Sequence, residues 1–126
     1  MLIDLDYREF EVPGFASAKV DVRPLSVEAY QACLRVVTRT MGDENWTDNG
    51  KRAMSLVVDA ETLAVAKQVL PLHARNLVGI SVREKGETRQ AAVEDLTDRA
   101  PLFGVGLTIL AHLISISGLT EQESGN

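Results

Sequence analysis

The chain is poor in metal-binding and thiol chemistry: it has one cysteine, Cys33, and two histidines, His73 and His112, in 126 residues. A lone cysteine excludes an intramolecular disulfide framework and a thiolate zinc site. The histidines have no Cys or His neighbour and no His-Glu-x-x-His spacing, so a metal site would have to be assembled from distant carboxylates. Clustered positive charge is also lacking. Thirteen Lys and Arg are scattered among eighteen Asp and Glu, giving a net charge of −5. Nucleic acid is therefore not the expected partner, because phosphate binding relies on grouped cations. No basic segment followed by an apolar one marks a signal peptide at the N-terminus, so a cytoplasmic protein is expected. Internal repeats and low-complexity segments are absent too.

What is present fits one soluble domain, with 45% hydrophobic and 25% charged residues. The most apolar stretch is PLFGVGLTILAHLISIS, Pro101 to Ser117. At helical spacing Phe103, Leu107, Leu110 and Ile114 share one side, and Leu102, Ile109, Leu113 and Ile116 widen the arc. Only Thr108, His112 and Ser115 form a polar line for water. Asp98 is the expected N-cap, Pro101 suits the opening turn, and Gly118 is expected to end the helix in a left-handed conformation. A membrane span is not expected: a bilayer asks for about 20 mainly apolar residues, and this run is shorter and carries Gly104, Gly106 and His112. Either the helix is the core of the domain or it presents a face to another chain.

Upstream, Ala18 to Arg23 alternates as a strand with Val20 and Val22 inward, ended by Pro24. Leu2, Ile3, Leu5, Tyr7 and Phe10 indicate an earlier extended segment, and Val12-Pro13-Gly14 a turn. At Ser26, an N-cap, the period changes: Val27, Tyr30, Leu34, Val37 and Met41 recur at gaps of 3, 4, 3 and 4, predicting a one-sided amphipathic helix. Gly42 to Lys51 reads as a polar loop carrying Trp46, which either packs back on the domain or contacts a partner. Met54 to Val58 is a short apolar run compatible with strand or helix. Asp59 is the expected cap of a helix through Leu63, Ala66, Val69 and Leu70 that Pro71 should end or kink. Leu77 to Arg83 reads as one strand leading into a hairpin turn at Glu84-Lys85-Gly86-Glu87, with Thr88 to Ala92 returning.

No catalytic constellation emerges from these elements. Cys33 reads as a small buried hydrophobe, since nothing marks a lowered pKa or a positioned base. Gly104-x-Gly106 lies inside an apolar helix and reads as a close-packing contact rather than a dinucleotide fingerprint. The carboxylates Asp4, Asp6, Glu9, Glu11, Asp43, Glu44 and Asp48 lie in polar surroundings and read as solvated surface.

The order of these features resembles the tail assembly chaperones of long-tailed bacteriophages. The likeness is carried by Val22-Arg23-Pro24-Leu25-Ser26-Val27-Glu28-Ala29-Tyr30, a strand ending in Arg-Pro-Leu and feeding a helix. Asp59-Ala60-Glu61 and Leu77-Val78-Gly79-Ile80 before a glycine hairpin follow, then an apolar helix closing on Ser117-Gly118-Leu119-Thr120-Glu121-Gln122-Glu123. The sequence departs from that plan at Ser81-Val82, where many members place an aromatic-containing segment. The resemblance implies a non-enzymatic protein of the host cytoplasm, without metal or cofactor. Such a protein binds the long helical tape measure protein, keeps it soluble and helps recruit tail tube protein, often alongside a longer frameshifted product.

The expectation is a single α+β domain over residues 1–118, followed by a flexible acidic tail over 119–126. It has a β-rich N-terminal part, a hairpin and about three helices, the last strongly apolar. The expected partner-binding residues are Phe103, Leu107, Leu110, Leu113, Ile114 and Trp46, and a homo-oligomer is expected. The alternatives are a small structural tail completion or connector protein of the virion, and a small-ligand-binding or metal-dependent enzyme domain with a polar cluster in a pocket.

Overall fold

The structure is a computed structural model that describes residues 1–40 and 60–118. The expected loop with Trp46, the Met54 to Val58 run, the Asp59 cap and the tail over 119–126 lie outside the described residues. So do Met41 and the side chain of Val37.

Strands β1 (Arg8–Glu11), β2 (Lys19–Val22) and β3 (Ala74–Val78) form an antiparallel sheet in the order β1-β2-β3. In β2 the alternation works as read: Val20 and Val22 are buried, opposite Phe10 of β1 and Ala74 of β3 respectively. Between the pairs Lys19↔Val78 and Asp21↔Arg75, β3 carries one residue more than β2. That bulge contains Asn76 in a left-handed conformation (φ 58°), its amide donating to Asp21 Oδ2 at 3.0 Å. A bulge resets the period of two, which is how Ala74 and Leu77, three apart, both reach the core.

Helix α1 (Val27–Thr40) starts where Ser26 predicts, the Ser26 hydroxyl accepting the Ala29 N–H at 3.1 Å. Helix α2 (Ala60–His73) continues two residues beyond Pro71, so proline neither ends it there nor leaves its last carbonyls bare. Leu72 O accepts from the Arg23 guanidinium at 2.8 and 3.1 Å. His73 O accepts the Arg23 N–H at 3.0 Å. Donors from the β2–α1 connection thus serve the orphan carbonyls of this terminus.

The Leu77–Arg83 run divides, contrary to expectation. Gly79 (φ 88°) breaks it, so that β3 belongs to the first sheet and β4 (Ser81–Glu84) pairs only with β5 (Glu87–Gln90). A Cβ on Gly79 would stand 1.8 Å from Ser17 O, so both its φ and its space demand glycine. The hairpin turn itself is as expected: Lys85 (φ 54°) and Gly86 (φ 80°) are both left-handed, the type I′ arrangement that matches strand twist.

Helix α3 (Asp95–Asp98) and a 3₁₀ turn (Ala100–Leu102, with Pro101) lead into α4 (Phe103–Ser117). Asp98 is not the cap of α4. It ends α3, and the 3₁₀ turn that follows puts Leu102 at the N-cap with no side-chain bond. Gly118 is extended rather than left-handed (φ −83°, ψ 162°); a Cβ there would lie 2.1 Å from the Tyr30 hydroxyl, so a side chain at 118 would require the Tyr30 ring to shift. Every residue from Val105 to Leu110 is buried, and α4 packs on α1, α2 and α3. By length and composition alone, Ala100–Ser117 would suffice to cross a bilayer.

Candidate interaction surface

Two helices could present an apolar face, and they resolve oppositely. In α4 the expected anchors Phe103, Leu107, Leu110 and Leu113 are all buried in the chain's own core, and Ile114 packs against that core. This corrects their assignment as partner-facing side chains: a helix apolar on nearly every side needs cover on nearly every side, and neighbouring elements supply it. The expected polar line is corrected as well. Thr108 is buried and donates to Gly104 O at 2.9 Å. The His112 ring stacks on Phe10 with centroids 3.7 Å apart, and burial lowers its pKa. Ser115 alone of the three is exposed. Gly106 is the close-packing contact expected of it, a Cβ there meeting Leu96 Cβ and O at 3.3 Å.

Among the described side chains of α1 the buried ones are Ala29, Ala32, Cys33 and Val36. These are not the large residues of the 3-4-3-4 pattern. Val27 is 76% exposed and Leu34 38%, and they sit roughly 160° around the helix from the buried set at 100° per residue. Small side chains at Ala29, Ala32 and Cys33 let α1 pack on α2 and α4, which leaves Val27 and Leu34 outward. The buried set has a helical signature of its own, at i, i+3, i+4 and i+7. Tyr30 is half-buried, its hydroxyl lying over Gly118. Leu25 N–H donates to Ser117 Oγ at 2.7 Å, which fixes the end of α4 against the start of α1.

Beside the exposed stripe, Glu28, Gln31, Ala32 and Arg35 of α1 and Gln68 of α2 line a polar hollow of about 480 Å³. Among the described residues, neither Glu28 nor Arg35 has an ion-pair partner.

Several titratable groups elsewhere are committed to structure. Arg89 clasps Asp95 with two bonds of 2.7 and 2.9 Å, and Asp95 also accepts the Ala92 N–H at 2.7 Å. The Arg89 bonds, then the Ala92 N–H, hold the Asp95 carboxyl well below the usual carboxylate range, and the same bonds raise Arg89. Arg99 donates to Glu84 at 2.6 Å, countering the like charge of Glu87 opposite it in the hairpin. This network, which fastens the β4–β5 hairpin to α3, went unseen in the sequence because its members are six to fifteen residues apart. His73 uses both ring nitrogens, Nδ1 with Val69 O at 2.8 Å and Nε2 accepting the Ser26 N–H at 3.2 Å, so it has none left for a metal. Cys33 is fully buried and its thiol is pushed up to about 11 by burial, the inert cysteine expected. The ring of Tyr7 lies 5.1 Å from the Arg23 guanidinium and 3.8 Å from that of Arg75. Among the described residues no group of three His, Cys, Asp or Glu could hold a metal ion.

Fold and surface together describe a small α+β domain that offers an apolar helix stripe bordered by charge. No family model matches the chain, and no curated protein or solved structure matches it significantly.

Proposed function

We propose that this chain is a tail assembly chaperone of long-tailed bacteriophages. It acts without catalysis, metal or cofactor in the host cytoplasm by binding the tape measure protein and helping to recruit tail tube protein. The observation that carries the reading is the outward display of Val27 and Leu34, seven residues apart on one helix. Apolar side chains at that interval suit the stripe of another helix, and a tape measure protein is a long helical client. The order of elements that resembles the chaperone family supports the same reading. The reading takes the outer face of α1 as the working surface, which the burial of Phe103, Leu107, Leu110 and Leu113 in α4 supports.

Co-expression with a tape measure protein tests this. The client should stay soluble and co-purify with the wild-type chain but not with a Val27→Asp/Leu34→Asp variant. A client that stays insoluble with the wild-type chain contradicts the proposal. Retention of the chain in purified virions would instead identify a structural tail protein.

A further inference from the structure

The outer face of α1 carries a pattern that complements itself. At 3.6 residues per turn, Val27, Gln31 and Leu34 fall within about 60° of one another and form the outward strip. Glu28 and Arg35 fall within about 20° of each other along one border of it. On one helix these two charges are seven residues apart, too far to pair. Among the described residues neither has another ion-pair partner, and both line the hollow against Gln68 of α2.

We infer that a second copy of this chain docks on this face, the two α1 helices running antiparallel about a two-fold axis at Gln31. In that register Val27 of each copy lies against Leu34 of the other, and Glu28 of each lies beside Arg35 of the other. Each contact is made twice, and each alignment holds to within about one residue's rise of 1.5 Å. Parallel pairing about a two-fold would carry the Glu28–Arg35 borders of the two copies to opposite sides of the seam, where they cannot pair, so charge selects the antiparallel arrangement. The contact is one helix face wide, which places it among weak, reversible interfaces. Self-pairing stands whether or not the client is a tape measure protein. If the proposed function holds as well, client and second copy compete for one stripe.

The test is sedimentation of the full chain over a concentration series, with the thermal midpoint as a check on folding. The wild type should show a monomer–dimer equilibrium. Glu28→Arg and Arg35→Glu should each weaken it at least about tenfold, and the double reversal should recover it to within about threefold of wild type. Val27→Asp should leave a folded monomer, since an acidic residue in the first turn suits the helix dipole. Mild oxidation gives a readout of register that needs no charge reversal. Gln31→Cys should cross-link to itself, whereas Val27→Cys should do so only when mixed with Leu34→Cys. A wild type that stays monomeric throughout, a double reversal without recovery, or efficient self-linking of Val27→Cys would each overturn the inference. None of these results depends on the client, so the two proposals fail separately.

Discussion

Helices α1 and α4 both read as amphipathic or apolar, yet they use their apolar residues in opposite ways. In α4 Val105 to Leu110 are buried without a break and the large side chains make the core. In α1 the small residues Ala29, Ala32 and Cys33 go inward with Val36, while Val27 and Leu34 face out. Apolar content therefore locates the core helix but not the surface that remains for a partner. The more hydrophobic helix is consumed by folding, and the less hydrophobic one keeps side chains to spare.

The contrast can be broken most severely in α4. Leu110→Asp forces a carboxylate into a core position and should cost more than about 4 kcal/mol, seen as loss of cooperative thermal unfolding. A folded variant that had merely lost a partner would show instead that this face is a surface.

A smaller effect is expected on the inner side of α1. Ala29→Leu overfills the packed inner side of the helix and should destabilise by about 1–3 kcal/mol in denaturant titration. A neutral result would mean that α1 does not pack through its small residues.

Acid should act through the clasp beneath α4. Asp95 has a folded pKa below its unfolded value near 3.9, so its contribution is full above about pH 4 and is lost as pH falls below that. The acid limb of the stability profile should flatten in Asp95→Asn, which itself should cost about 1–2 kcal/mol at neutral pH. Alkali should act through Cys33. Its folded pKa is raised to about 11, so stability should decline as pH rises from about 9, where the unfolded thiol ionises first, and Cys33→Ala should remove that decline.

Local signals were legible. Ser26 marked the start of α1, alternation marked β2, Lys85-Gly86 marked the hairpin turn, and the buried character of Cys33 followed from its position in the pattern. What escaped were features set by distant neighbours. The need for glycine at 79 depends on the Ser17 carbonyl, and the close approach at Gly118 depends on Tyr30. The phase of α1 escaped for a different reason. Two stripes with the same period compete on that helix, and the larger side chains dominate any hydrophobicity count, whereas packing distance to α2 and α4 selects the smaller set. The candidate partner residues on α4 are apolar and helical as the pattern implies, yet Phe103, Leu107, Leu110 and Leu113 lie inside the core and Ile114 packs against it. Their helix shows no partner-facing polar border from which the core–surface boundary could have been drawn.

The most direct measurement is binding by Val27→Asp at unchanged stability. Because Val27 is 76% exposed, the substitution should shift stability by less than about 0.5 kcal/mol. The account predicts an unaltered thermal midpoint together with loss of tape measure co-purification. Full co-purification by this folded variant would contradict the claim that the outer face of α1 is the working surface.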